Sequence, residues 1–413
     1  MVAVQTDAGK PSPKMILIVV LLVAVFASAV LDVVVPISAI DIGKTFHVSP
    51  GTVGQLDSLN ALATVATALL MGAFAVWFRY KTLVVAGAAF IAFCALGLFL
   101  APSFLMAQLV FPLNGIGSVM IIITAQTFVG NSYPLNKKAK AIGWIAAAGT
   151  LANAVGAPIT GFMTGIVGWR YVFALFMLPT AVISLLFVLF VFPLNLPEPQ
   201  EILKKEPFMM GFKQVLSQKT AVACLVAAFL INGAAFGSLF FQVTFLRQVF
   251  SVPANLASLI GTLAGTALIT VGAVIGGNFV NRFGRKNLTV IATSLAATLT
   301  MLSFLVASLP LSVTLRWVAT LFGGISVSAF ANLTIEQVPK FRSTNMSLFS
   351  AMGGAGTAVG ITAAGLVLNF FSNPTEGFRA LGLTMAAFAL GAILAIFLVA
   401  KDPIREKQMV AQN

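Results

Sequence analysis

Two aspartates, Asp32 and Asp57, each lie inside a long apolar stretch of the sequence. Asp32 stands in the run Ala-Val-Leu-Asp-Val-Val-Val-Pro, and Asp57 stands in Gln-Leu-Asp-Ser-Leu-Asn. A carboxylate is costly in apolar surroundings and is found there mainly where it has a function, such as carrying a proton. If both aspartates face one cavity, desolvation and mutual repulsion favour protonation of one of them. In the alternative interpretation, Asp32 only ties its helix to a neighbour, and Asp57 is solvated at a cavity mouth.

The composition excludes most other kinds of protein. The chain has 413 residues, of which 59% are hydrophobic and 8% are charged, against roughly 45–50% and 25% in soluble domains. A soluble enzyme, a disulfide scaffold and a disordered chain are therefore excluded. One histidine, His47, and two cysteines within apolar runs, Cys94 and Cys224, cannot assemble a zinc site or a catalytic triad. We expect no metal, no cofactor and no enzymatic activity.

The apolar stretches are long enough to cross a bilayer, which takes about 20 helical residues. The sequence therefore predicts an all-α membrane protein with 12 transmembrane helices. The predicted spans are 15–40, 50–76, 82–101, 104–131, 141–166, 170–193, 219–246, 253–279, 288–308, 312–334, 346–371 and 377–400.

The 24 cations are distributed unequally between the two sides of such a protein. The smaller group comprises Lys44, Arg170, Arg247, Arg316 and Arg379, and the other 19 fall at the opposite ends of the spans or in the tails. The positive-inside rule then places both termini in the cytoplasm and predicts a multi-pass protein of the cell (inner or plasma) membrane. The net charge of +13 thus reflects topology, and we expect no nucleic-acid partner.

A polar linker divides the spans into two sets of six. Residues 194–218 carry acids, lysines and prolines, so we predict one six-helix bundle over 1–193, a cytoplasmic linker, and a second bundle over 219–413. Short motifs also recur about 200 residues apart, which indicates an internal duplication typical of transporters with a site between the halves. The recurring pairs begin at Gly72 and Gly277, Lys140 and Arg342, and Gly168 and Gly377.

The orientation places the two aspartates at similar depth. Asp32 lies roughly 13 Å, and Asp57 roughly 10 Å, from the outer ends of the first two spans at 1.5 Å per residue. Pro36 follows Asp32 by one turn and leaves a nearby carbonyl without its helical donor.

The stretch Gly277-Asn-Phe-Val-Asn-Arg-Phe-Gly-Arg-Lys286 resembles the loop signature G-x-x-x-D-R-x-G-R-K of the major facilitator superfamily. This resemblance covers essentially the whole chain and implies two six-helix bundles that exchange access by rocking. It assigns a gating role to Gly277, Asn281, Arg282, Gly284, Arg285 and Lys286, with Asn281 in place of the usual Asp. The first-half copy runs from Gly72 to Lys81 and departs further, because Val76 replaces an Asp and Arg79 replaces a Gly. Gating control in that half is then expected from Arg79 and Lys81.

The fifth span contains Gly149, Gly156, Pro158 and Gly161, and it resembles the glycine-rich antiporter motif of the same superfamily. The resemblance implies the 12-span drug:proton antiporter group, in which this packing limits proton leak. The alternative is ordinary small-residue helix packing. One feature departs from that group, because Phe111 or Pro112 stands where many of its members carry an arginine in span 4.

Polar and aromatic residues of the spans supply the expected cavity wall. A wall rich in Phe with scattered amides suits a hydrophobic or amphipathic substrate. Arg247 and Arg316 either snorkel to the interface or lie near an anionic substrate or an Asp. The expected wall residues are Asn60, Asn114, Gln126, Asn153, Asn232, Phe236, Phe240, Gln242 and Asn332.

Together these features predict a secondary active transporter that exports small hydrophobic or amphipathic compounds by proton-coupled antiport. Its partners are then the substrate, protons and the lipid bilayer, and we expect a monomer. Asp32 and Asp57 are the proton-coupling candidates. The alternative is an uptake symporter or facilitator of a polar metabolite, such as a sugar, a nucleoside or an organic anion.

Overall fold

The computed structural model describes residues 15–132, 135–192 and 208–400, and every regular element in these ranges is helical. The first part of the chain contains α1 (Met15–Leu31), α2 (Val34–Phe46), α3 (Pro50–Trp77), α4 (Tyr80–Leu100), α5 (Phe104–Val110), α6 (Pro112–Ser132), α7 (Leu135–Ile166), α8 (Trp169–Val172), a π-helical turn (Phe173–Met177) and α9 (Leu178–Val191).

The second part contains α10 (Phe208–Ser217), α11 (Lys219–Phe240), α12 (Gln242–Val249), α13 (Ala254–Ser258), a second π-helical turn (Leu259–Leu263), α14 (Ala264–Phe283), α15 (Arg285–Leu305), α16 (Leu309–Ile335), a 3₁₀ turn (Pro339–Phe341), α17 (Arg342–Phe370) and α18 (Pro374–Leu398).

Within the described residues, eleven helical segments are long and apolar enough to cross a membrane. They match eleven of the twelve predicted spans, ten of them within three residues at each end, while the first runs to Phe46, six residues beyond its predicted end. The 28-residue helix α3 occupies the place of the remaining one, predicted at 50–76. The prediction of an all-α membrane protein is confirmed, whereas the count of twelve spans and the side of the termini stay predictions.

Short sequence signals set where several helices begin. Ser49 accepts a hydrogen bond from the backbone N–H of Thr52 at 3.0 Å, and Pro50 follows at the first position of α3. Asn373 caps α18 in the same way, ahead of Pro374. In each pair, the capping side chain accepts a hydrogen bond from a backbone N–H that the start of a helix leaves unpaired, and the proline has no N–H to satisfy.

The first span of each predicted half is interrupted. Helix α1 ends at Leu31 and α2 begins at Val34. Pro36 explains this break, because it has no N–H to bond the carbonyl of Asp32. The corresponding span of the other half breaks at Phe241, between α11 and α12. The two outer half-helices, α2 and α12, contact each other.

Large apolar side chains fall into an inner and an outer class. Phe245, Phe304 and Phe378 are buried and form one cluster with ring centroids 4.9–6.1 Å apart. By contrast, Phe190 and Phe370 are more than 80% exposed. Such extensive exposed apolar surface is expected where the surroundings are lipid.

The main contacts between the predicted halves are made by α3 with α17, by α2 with α12, and by α7 with α13 and the following π-helical turn. The division into 1–193, 194–218 and 219–413 remains a prediction. Most of the predicted linker, 194–207, lies outside the described residues, and its last part forms α10 and Gln218.

Candidate functional site

A cavity of about 610 Å³ lies between helices of the two predicted halves. Its wall combines two carboxylates with amides, hydroxyls and apolar side chains, a mixture typical of small-molecule sites. The polar wall residues include Asp32, Asp57, Asn60, Thr64, Ser118, Thr150, Asn153, Gln242, Thr320 and Thr357.

Asp32 lies at the break between α1 and α2, so its side chain is presented to the cavity. Asn114 on α6 donates from Nδ2 to Asp32 Oδ1 at 2.6 Å, and Asn60 on α3 donates to the same oxygen at 3.4 Å. The carboxylate thus links three helices through charge-assisted hydrogen bonds. The Oδ1 atoms of both asparagines are buried and have no hydrogen-bond partner among the described residues.

Asp57 is half-buried on α3 and faces the same cavity. Asp32 and Asp57 thus line one cavity. Within the described ranges, no lysine or arginine forms an ion pair with either carboxylate, whereas Asp41 pairs with Arg247. The cavity therefore holds two acids without a fixed countercharge.

The other predicted wall residues divide into two groups. Asn60, Asn153, Phe236, Phe240 and Gln242 line the cavity. Asn114 is fully buried behind Asp32. Gln126, Asn232 and Asn332 do not join the wall. Gln126 is exposed, and the two asparagines donate to the backbone of their own helices, at Ala228 and Ser328.

Sequence reasoning missed Asp41, which it left outside the first span. Helix α2 runs on to Phe46, and Asp41 binds Arg247 of α12 through two hydrogen bonds of 2.6 and 3.2 Å. Arg247 also donates to the carbonyl of Ile37. The sequence does carry a signal for this pair. Asp41 follows the predicted outer end of the first span, and Arg247 follows the predicted outer end of the first span of the second half. An acid and a cation at equivalent places on the same side could have been predicted to pair.

Further contacts close the predicted outer end. Asn369 of α17 binds Ser49 and Thr52 at the start of α3, and Thr362 donates to Ser58 at 2.9 Å. Beside them the backbones of Gly51 and Gly365 touch, so that a Cβ on either residue would overlap the other helix. This region, together with Asp41 and Arg247, is called the outer latch below.

The predicted gating loops lie at the other end of the helices. Lys81 donates to the carbonyl of Leu189 at 2.7 Å, a favourable position for a cation at the C-terminus of α9. Gly284 has φ +81°, a conformation that glycine adopts without strain, and it forms the turn between α14 and α15. Arg79 and Arg282 are exposed, Arg285 is half-buried, and Lys286 lies 5.6 Å from the ring of Phe397. Gly277 approaches Ser328 of α16, while the environments of Gly72 and Asn281 lie outside the described residues.

The antiporter-like stretch forms part of one continuous helix, α7, which passes through Pro158. Gly156 packs against Val30 and Val33, next to the α1–α2 break, and a Cβ at Gly161 would overlap Ser258 of α13. A Cβ at Gly149 would meet no atom within 4 Å. Two of the three glycines thus mark close helix contacts, and one of these contacts joins the predicted halves.

Comparison with known families gives the same overall picture. A family model described as Major Facilitator Superfamily matches residues 20–270 and 227–412. The chain belongs to the Major Facilitator Superfamily. It is therefore a multi-pass membrane transporter and not an enzyme.

Solved structures of other superfamily members share this fold. A bacterial homologue of the human lysosomal transporter Spinster, inward-facing and unoccupied, is 17% identical, with a TM-score of 0.76 over 93% of this chain and 96% of its own. A D-xylose–proton symporter is 12% identical, with a TM-score of 0.76 over 94% and 98%. The nucleoside transporter NupG is 16% identical, with a TM-score of 0.73 over 93% and 98%. At these identities the likeness concerns the fold and leaves the substrate and the direction of transport open.

Proposed function

We propose that this superfamily member is a monomeric, proton-coupled antiporter that exports small hydrophobic or amphipathic compounds, with both termini in the cytoplasm. The observation that carries the proposal is Asp32: an aspartate at a helix break, facing a cavity of about 610 Å³ between the predicted halves, and held by amides with no cation beside it among the described residues. A carboxyl without a fixed countercharge can gain and lose a proton as access changes.

The hydrogen bonds of Asp32 connect its protonation to helix packing. Ionised Asp32 accepts strong, charge-assisted bonds from Asn114 and Asn60. Protonation removes the charge and weakens these bonds, which loosens the ties from the α1–α2 break to α6 and α3. The unpartnered Oδ1 atoms of the two asparagines offer an acceptor to the new O–H. Asp57 supplies a second carboxylate on the same wall.

The cavity wall supports a substrate of mixed character. Phe236, Phe240 and Ile361 contribute apolar surface, and Asn153 and Gln242 contribute amides. The Oε1 atom of Gln242 is buried without a partner among the described residues, so a bound donor would satisfy it. The outer latch closes one end of the cavity, and opening the latch would release substrate on the predicted external side.

The test is gradient-driven accumulation in inverted membrane vesicles with an acidic lumen. The probes are ethidium as a cation, 1-naphthoate as an anion and a neutral coumarin. We expect accumulation of at least one probe, collapse of that accumulation in Asp32→Asn, and retention in the exposed control Glu376→Gln. Undiminished accumulation in Asp32→Asn would exclude Asp32 as the coupling site.

The alternative, uptake of a polar metabolite, uses the same geometry in the opposite direction. Right-side-out vesicles with external acid separate the two functions. Proton-driven accumulation there, and its absence in inverted vesicles, would assign symport instead of export.

A further inference from the structure

A second cavity, of about 150 Å³, lies among α11, α14, α15, α16 and α18. Most of its wall is apolar, with alanines and residues such as Ile231 and Met385. Its polar members are one cation and a set of hydroxyls, namely Arg316, Ser238, Thr293, Thr300, Thr320 and Ser326.

Arg316 is the unusual residue of this pocket. Its side chain is only 8% exposed, and its Nη1 atom donates to Ser238 at 3.2 Å and to Thr300 at 3.4 Å. Within the described ranges no aspartate or glutamate pairs with it. A buried cation faced only by neutral hydroxyls is costly, because such charges are normally paired.

A purely structural role explains the arrangement less well. Both described bonds of Arg316 are long, and both use the same nitrogen. Two of the surrounding hydroxyls, those of Thr293 and Ser326, bind each other at 2.6 Å. The rest of the guanidinium has no described partner, although it is a planar donor suited to two oxygens of one acceptor.

The size and position of the pocket limit what it can hold. A cavity of roughly 150 Å³ accommodates a benzene-sized group. Leu239, Ile269 and Thr320 line both this pocket and the central cavity. The pocket therefore adjoins the central cavity, and the two share these residues as a wall.

We propose that Arg316 and the hydroxyls around it form a subsite for the carboxylate of an amphipathic organic acid. The guanidinium binds the carboxylate oxygens, and the apolar wall receives the adjoining ring or short chain. For its place in transport this inference rests on the proposed function, and it narrows the substrate class to compounds with an anionic end.

The experiment measures binding to the detergent-purified protein, with benzoate as the probe. Thermal unfolding is followed at constant ionic strength with benzoate, with its neutral isostere benzamide, and with added chloride. We expect benzoate alone to raise the unfolding midpoint, because it binds the folded state. Equal effects of benzoate and benzamide would overturn the proposal, and so would equal protection by chloride, which would indicate a site for inorganic anions only.

Variants locate the binding. Arg316→Gln is expected to raise the apparent Kd for benzoate by about tenfold or more, the usual effect of losing a charged hydrogen-bonding partner. Arg379→Gln removes an exposed cation of the same half and should leave the Kd unchanged. Unchanged benzoate affinity in Arg316→Gln would contradict the subsite.

A second variant blocks the pocket and keeps the arginine. Gly323 lines the pocket, and a Cβ there meets no atom within 4 Å, so Gly323→Leu should fold and reduce benzoate binding while Arg316 stays in place. Full binding in Gly323→Leu would place benzoate elsewhere. These measurements need no proton gradient, so they can fail while export succeeds, or succeed while export fails.

Discussion

Asp32 and Asp41 stand nine positions apart on the same interrupted span, yet their surroundings differ. Asp41 lies in the outer latch. Its Oδ2 atom is 2.6 Å from Nη1 of Arg247, which belongs to the other predicted half. Asp32 faces the cavity and has only the neutral amides of Asn114 and Asn60, both from its own half. One carboxylate thus forms an ion pair across the predicted interface, whereas the other has no such partner among the described residues.

This difference separates two tasks that a transporter must combine. An ion pair between the halves stabilises one arrangement of the helices and has to break when the halves separate. A carboxylate bound by amides within one half can change its charge without breaking a contact between the halves. We infer that the outer latch sets the closed conformation and that Asp32 sets when the conformation changes.

The largest expected effect comes from preventing closure of the outer latch. Gly365→Leu places a side chain where the backbone of Gly51 lies. Overpacking costs about 1–3 kcal/mol, which lowers the ratio of closed to open molecules by about 5- to 150-fold. We expect a similar loss of vesicle transport.

The control for this change is Gly143→Leu, at a glycine whose Cβ would meet no atom within 4 Å. Maleimide labelling from the outside, at a cysteine introduced at Phe240 with Cys94 and Cys224 replaced by Ala, should rise only in Gly365→Leu. Normal transport and unchanged labelling in Gly365→Leu would show that the glycine contact does not form during the cycle.

Breaking the ion pair should have a smaller effect. Arg247→Gln leaves Asp41, which is 25% exposed, without its cation. Since the pair is partly solvated, we expect the closed state to lose about 1–2 kcal/mol, or roughly tenfold in transport rate. The exchanged pair Asp41→Arg with Arg247→Asp should recover part of the activity. A double-mutant cycle checks this. If the loss of transport in the double variant equals the sum of the losses in the two single variants, the residues do not interact.

The superfamily fold was predictable because its signals are physical and local. Apolar length located eleven of the described spans, ten of them within three residues at each end, and Gly284 was recognised as part of the superfamily's loop signature. Asp32 was recognisable because a carboxylate in an apolar run is rare. The boundary of the first span was harder to place, since α2 continues through polar residues to Phe46, and for that reason Asp41 was left outside it.

The amides of the predicted wall show where sequence reasoning stops. Asn60 and Asn114 reach Asp32, but Asn232 and Asn332 turn back to their own helices. These four residues have the same chemistry and similar apolar surroundings in the sequence. Helix rotation decides which of them face the cavity, and rotation depends on packing between helices that are distant in the chain. The isolation of Arg316 from acids could not be predicted for the same reason.

The smallest of the three effects tests the cavity side of the comparison. Asn114→Leu keeps the approximate volume but removes the 2.6 Å donor to Asp32. Charge-assisted hydrogen bonds contribute about 1.5–3 kcal/mol, but Asn60 remains close enough to replace part of this bond, so we expect a three- to tenfold loss of gradient-driven transport.

Gln126→Leu, at an exposed amide outside the cavity wall, is the matched control. Asn114→Leu should leave the outside labelling of the introduced cysteine unchanged, since the outer latch is intact. If labelling instead rises as it does in Gly365→Leu, the two regions are one coupled structure and the separation of tasks fails.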